Sequence, residues 1–323
     1  MPTPATSRCQ QVPINGFTCN VRHWGPDDAP LLLMLHGWMD SSASFQFTVD
    51  ALKRSWHVLA PDWRGYGKSQ WFGRPYWFAD YYADLDALLD RYSPGAPARI
   101  VGHSMGGAVA SIYGGARPER LAGLLMIDFL GLPANATDAA PGRLRDWLDH
   151  SRATPQLRAY ASREHLAARL LQFNKRLLPE RARFLATHCS TRLPDGQFVV
   201  ACDPWHKIPS PQLYRVEEVM ACWRALTAPM MLVVADEGYV LQRFGKHPAE
   251  LQRRMACFAN GSIEHLDDCG HNVQHDQPEK LAELIESFFS EPQKSCASAL
   301  MAGGAAQAGA GTAKTWRSVD PIA

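Results

Sequence analysis

With 323 residues, 46% of them apolar and 20% charged, the chain can close one large core or two small ones, and its composition excludes a disordered or collagen-like protein. Thirty-three basic residues against thirty-two acidic ones leave no net field to steer a polyanion, so the expected partner is a small-molecule substrate and not nucleic acid. No stretch approaches the roughly 20 consecutive apolar residues of a membrane helix, and Met1 to Gln11 lacks a secretory signal pattern, so no membrane span and a cytoplasmic location are expected.

Along the chain, Gln11 to Trp24 carries Asn15-Gly16 between β-prone flanks, which predicts a hairpin at a sheet edge. The run Leu31 to Leu35 is apolar throughout, the pattern of a strand covered on both faces, and it ends in His36-Gly37. Trp56 to Ala60 predicts a second buried strand, stopped at Pro61. Between Phe78 and Tyr92 the apolar groups Tyr81, Leu85, Leu88, Leu89 and Tyr92 recur at three-and-four spacing, so this segment is predicted as an amphipathic helix, broken at Pro94-Gly95. A strand over Arg99 to His103, a small-residue helix over Gly106 to Ala116 and a strand over Leu121 to Ile127 continue the alternation. Such alternation implies an α/β fold with a mostly parallel sheet and helices on both faces.

After Gly131 the rhythm changes. Arg143 to His150 and Glu164 to Thr187 read as helices with no buried-strand run between them, so residues 131–225 are predicted as a helical cap inserted into a core of 1–130 and 226–290. Met230 to Ala235 and Ser262 to Leu266 resume the strands, and Leu281, Leu284, Ile285, Phe288 and Phe289 mark a last helix. Residues 291–323 are dominated by Ala, Gly and Ser and are expected to be a disordered tail without a catalytic role. Eight cysteines without Cys-x-x-Cys spacing are expected to be free thiols.

Gly102-His103-Ser104-Met105-Gly106 lies between a predicted strand and a predicted helix, the context of a nucleophile elbow. Ser104 is the candidate nucleophile. At a helix amino terminus its hydroxyl meets unpaired amides and a dipole that favour negative charge, so the Met105 amide is the candidate first oxyanion donor. Trp38, just past His36-Gly37 at the end of the first buried strand, is the candidate second donor through its backbone. His271 follows the last predicted strand and is the candidate base, in preference to His103, His265 and His275. Two acids compete to orient it: Asp128 ends the Leu124 to Ile127 run and Asp236 ends the Met231 to Ala235 run. An acid in the later loop ordinarily lies a few residues further on, where this chain has Tyr239 and Val240, so Asp128 is favoured.

Together these pieces resemble the α/β-hydrolase superfamily over Leu31 to Phe289, in the elbow, His36-Gly37 and Gly270-His271. Pro61 to Ser69 is similar to a loop those enzymes carry, in which Asp62 is structural. His36-Gly37-Trp38-Met39-Asp40, Ser44-Phe45 and Glu237-Gly238-Tyr239 resemble the serine-hydrolase-like group. That group and the haloalkane dehalogenase branch place an acid after the sixth strand, which also points to Asp128, while Ser104 in place of an aspartate disfavours dehalogenase and epoxide hydrolase chemistry. The resemblance implies hydrolysis of a carboxylic ester or related acyl compound with no metal or organic cofactor. A lactone, thioester or carbon–carbon bond hydrolase using the same residues, or a ligand-binding homologue without turnover, are the alternatives. The aromatics Trp147, Phe173, Phe184, Trp205 and Trp223 are read as packing more than as a pocket lining, and oligomeric state is left undetermined.

Overall fold

Asn15 (φ 42°) and Gly16 (φ 77°) both take the left-handed conformation that a two-residue hairpin of right-handed twist demands. In the computed structural model of the protein, which describes residues 4–290, they join Ser7–Ile14 (β1) to Phe17–Trp24 (β2) in an antiparallel pair. The alternating segments follow: Leu31–Leu35 (β3), Gln46–Ala51 (α1), His57–Pro61 (β4), Phe78–Tyr92 (α2), Ala98–His103 (β5), Met105–Ala116 (α3) and Leu121–Ile127 (β6). Next come Ala140–His150 (α4), Arg163–Phe173 (α5), Pro179–His188 (α6), a small hairpin of Ser190–Arg192 (β7) and Phe198–Val200 (β8), and Val216–Ala225 (α7). Met230–Glu237 (β9), Tyr239–Phe244 (α8), Pro248–Met255 (α9), Gly261–Gly270 (β10), Val273–Asp276 (α10) and Pro278–Ser290 (α11) complete them.

Eight strands form one sheet in the order β1-β2-β4-β3-β5-β6-β9-β10, parallel from β4 to β10, with the hairpin antiparallel at one edge. The uninterrupted apolar runs follow from burial on both faces. Leu33 and Leu35 of β3 join one core with Ile100, Leu124, Met126, Leu232 and Val234, while Leu32 and Met34 join a second with Val101, Leu125, Ile127 and Val233. Each such side chain contributes on the order of 1.5–3 kcal/mol through removal from water. The predicted face of α2 is buried at Tyr81, Leu85, Leu88 and Leu89.

The segment after Gly131 differs in detail from its sequence pattern. The single helix expected over Glu164 to Thr187 is two, because Pro179 cannot continue a helix but is well suited to start one. Those two helices share a small core of their own, from Leu166, Leu177, Ala182 and Leu185. α4 buries no side chain. α7, grouped with the insertion by sequence, packs on the sheet's own helical layer: Met220 and Trp223 join the first core, and the Trp223 indole donates to Ser111 Oγ of α3 at 3.0 Å. β10 runs four residues beyond its expected end, through a register shift between Leu266 and Gly270. The seven cysteines within the described residues are free, and no helix among those residues is long and apolar enough to cross a membrane. The expected tail, 291–323, lies outside the described residues.

Candidate active site

Parallel strands deliver their following loops to one end of the sheet, and the candidate residues all follow strand ends. Ser104 comes directly after β5 and caps α3, with φ 48° and ψ −113°, a strained conformation for a residue with a side chain. The elbow tolerates no bulk beside it. A β-carbon on Gly106 would stand 2.2 Å from the Leu35 carbonyl oxygen, and one on Gly102 would stand 2.5 Å from the Gly107 nitrogen. The Ser104 amide donates to the Ile127 carbonyl at 3.1 Å, tying the elbow to the end of β6. Gly37 lies against it, for a β-carbon there would approach Ser104 Cβ to 3.2 Å. The loop after β3 and the start of α3 therefore meet at the serine, and the amides of Trp38 and Met105 bond no other group among the described residues.

Asp128 follows β6, fully buried and with φ 47°. Its Oδ2 accepts from His271 Nδ1 at 2.8 Å and from the Tyr239 amide at 2.5 Å, while Oδ1 accepts from the Ala235 and Val240 amides at 3.3 and 3.4 Å. The carboxylate is thus held by backbone donors, the arrangement that lets a buried charge persist. Gly238 makes room for it, because a β-carbon there would come within 2.3 Å of Oδ2. Since a carboxylate accepts, the proton of His271 belongs on Nδ1, leaving Nε2 with its lone pair.

Asp236 does something else. It is exposed, and its two oxygens accept from the Asp268 and Cys269 amides at 3.0 Å each, bracing the bulged end of β10 just before His271. The same loop is held at Gly270, whose amide donates to Asp276 Oδ2 at 2.9 Å. A third brace was not evident in the sequence pattern: His103 Nε2 lies 2.9 Å from the His271 carbonyl oxygen, and the two rings are 4.8 Å apart. Burial, reinforced by the nearby His271, pushes His103 well below the usual imidazole range. It is therefore neutral, with Nε2–H donating to His271 and Nδ1 accepting from Gln274 Nε2 at 3.3 Å.

Asp40 lies two residues beyond Trp38. Burial pushes its carboxyl up to about 6 against the opposing pull of Ser44 and the Ser41 amide, and its Oδ2 is enclosed with no hydrogen-bond partner. Asp62 accepts from Asn20 Nδ2, the Ser42 amide and the Lys68 amide at 2.7 to 2.9 Å, which is a scaffolding role. His36 is equally structural: it is pushed down to about 4 by burial, and its Nε2 accepts from the Trp63 amide at 3.0 Å. His265 is exposed, and buried His275 meets Ser44 Oγ at 2.5 Å. From the insertion, Arg176 pairs with Glu237 at 2.7 Å and Asp268 at 2.9 Å, clamping the loops that flank the acid and the histidine. Among the aromatics of that segment, Trp223 is core and Phe184 packs edge-on to Phe47, whereas Phe173 is 72% exposed.

The sheet and the loop ends match a known family: the model for the alpha/beta hydrolase family matches residues 32–284, and the chain belongs to it. It is 24% identical to a serine hydrolase-like protein of Danio rerio, over 84% of each chain. It is 29% identical to the lipase LipV of Mycobacterium tuberculosis, over 83% of this chain and 96% of that one. Among solved structures, a thioesterase domain from the curacin biosynthetic pathway superposes with a TM-score of 0.78 at 22% identity, covering 87% of this chain and 99% of that domain. These relatives support hydrolysis as the class of activity.

Proposed function

We propose that the protein is a serine hydrolase that cleaves a carboxylic ester or related acyl compound through an acyl-enzyme on Ser104. Ser104 Oγ attacks the acyl carbon as its proton passes to His271 Nε2, and the carbonyl oxygen becomes an oxyanion received by the Trp38 and Met105 amides. Asp128 faces the imidazolium so formed. Collapse expels the alkoxide, which takes the proton from His271. Water then gives a proton to His271 Nε2 and adds to the acyl carbon, and loss of the acid returns the proton to Ser104. These steps call for no metal or organic cofactor.

Two observations support this reading together: the 2.8 Å contact of His271 Nδ1 with the buried Asp128 carboxylate, and a serine held in a strained elbow at a helix amino terminus. An ordinary capping serine has no need of the unfavourable φ, and a structural histidine has no need of a carboxylate buried without a cationic side chain. Residues 131–215, up to the start of α7, act in this proposal as the cap that selects the acyl or alcohol group.

The test is covalent and kinetic. A fluorophosphonate probe should label Ser104, and Ser104→Ala should lose at least about a thousandfold in turnover on a panel of esters, lactones and thioesters while keeping its melting temperature. Label on another serine, or unreduced turnover in the folded variant, would overturn the assignment. A chain that binds panel compounds but neither labels nor turns them over would be a ligand-binding member of the family.

A further inference from the structure

A second cluster of chemistry-bearing side chains stands at the edge of the sheet. Arg8 of β1 lies opposite His23 of β2, and His23 lies opposite Leu59 of β4. His57, two residues before Leu59, therefore shares the face of His23 on the neighbouring strand, at the diagonal position within reach of long side chains. The chain leaving β2 turns at Gly25 (φ 72°) and brings Asp27 to the same place. His23 Nδ1 is 3.2 Å from His57 Nε2, His57 Nε2 is 3.1 Å from Asp27 Oδ1, and the three ligand atoms lie within 4.8 Å of one another.

Those separations carry chemical information. Zinc–nitrogen and zinc–oxygen bonds of about 2.0–2.1 Å in a tetrahedron set neighbouring ligand atoms about 3.3 Å apart. We propose that His23 Nδ1, His57 Nε2 and the Asp27 carboxylate form a binding site for a divalent transition-metal ion of the zinc class. Two imidazoles and one carboxylate are a borderline donor set that suits zinc, cobalt or nickel and leaves calcium and magnesium poorly served. The cluster borders an open cavity of about 460 Å³, which gives an ion a path in and leaves a fourth position for water.

Arg8 ties two of the ligands together. Its guanidinium pairs with Asp27, and Nη2 lies 3.4 Å from His23 Nδ1, so one cationic side chain contacts two of the three ligands. Arg8 is half-exposed on the edge strand and can swing into solvent, exchanging one cation for another. The site is not catalytic. His57 opens β4 beside Leu31, which opens β3, whereas Ser104, Asp128 and His271 follow the far ends of parallel strands. An ion here ties β2, β4 and the turn after β2 together, and its effect falls on stability.

The test uses the whole chain, with zinc chloride followed by calorimetry and melting, and cobalt chloride by visible absorption. One zinc ion per chain should bind saturably at micromolar concentration and raise the melting temperature, and cobalt should give the bands of a low-coordinate ion without a thiolate charge-transfer band. Asp27→Asn and His57→Gln should each weaken binding by at least about tenfold, the lower end of what loss of even an outer partner costs. Arg8→Ala should tighten it, and Cys9→Ser, at the rim of the same cavity, should leave it unchanged. Asp27 is 71% exposed in a loop, so its variant keeps the measurement open even if the histidine variants fail to fold. Absence of saturable micromolar binding, binding that survives Asp27→Asn, or a thiolate band lost in Cys9→Ser would overturn the proposal.

Discussion

Asp128 and Asp236 belong to neighbouring parallel strands and are chemically identical, yet they hold different things. Asp128 meets the ring of His271, so its charge bears on both the tautomer and the imidazolium; Asp236 meets only two amides of the preceding loop. Removing charge from the first should therefore act on the transition state, and removing it from the second should act only through the position of the histidine. In a serine protease the corresponding Asp to Asn change costs about 10⁴ in turnover. Asp128→Asn is expected to lower kcat by at least about a hundredfold and Asp236→Asn by less than about tenfold on that scale, each checked for folding by circular dichroism. The reverse order would move the acid to Asp236. Ser104 and His271 could be singled out as candidates because each sits in a short local pattern between a strand and a helix, a placement the fold reproduces. The choice between the acids was not settled by spacing alone, since both end apolar runs. The brace from His103 was invisible, because it joins residues 168 apart in sequence and depends on how the loop after β10 folds back over β5.

At the scale of elements, the sheet was readable and the insertion only partly so, for one physical reason. A strand buried on both faces writes itself as a continuous apolar run, as in Leu31 to Leu35, whereas a cap helix buries one narrow stripe and its pattern does not say against what. α7 has the composition of its neighbours in the insertion, but Met220 joins the first core and Trp223 meets Ser111 of α3. β7 and β8 are three residues each, too short to leave a period. For the proposed function the consequence concerns selectivity. α5 and α6 share a separate core and reach the ends of β9 and β10 through Arg176, whose two ion pairs are partly exposed and worth little to global stability. Replacing 131–215, up to the start of α7, with the equivalent segment of a relative should reorder preferences across an acyl and alcohol panel by about tenfold or more, while reactivity toward a small fluorophosphonate changes by less than that. A folded chimera that kept the parent preferences would show that selectivity resides in the sheet loops.

For the molecule as a whole, this division of packing predicts a gradient of local stability. β3, β5, β6 and β9 are closed on both faces by two cores whose members are almost entirely hidden from water, so their amides can exchange with solvent only when the whole sheet opens. α5 and α6 rest on a core of six buried residues with Phe47 of α1 packed against it, so their opening is expected to cost less than opening of the sheet. α4 buries nothing, and its apolar residues Leu144 and Leu148 are each 48% exposed. A helix of 11 residues without tertiary packing is marginal in water, since nucleation is costly and propagation barely favourable. Hydrogen exchange followed by mass spectrometry should find α4 amides exchanging at least about a thousandfold faster than those of β5 and β6, with α5 and α6 between them, given a global stability on the order of 5–15 kcal/mol. That order matters for catalysis. Ser104 and Asp128 would then follow strands that do not open, His271 would follow the edge strand β10, and the elements free to admit a substrate would be those that carry none of the proposed catalytic groups. Protection of α4 equal to that of β5 would mean that the 131–215 segment and the sheet unfold as one unit, and the proposed entry of substrate could not then be assigned to opening of that segment.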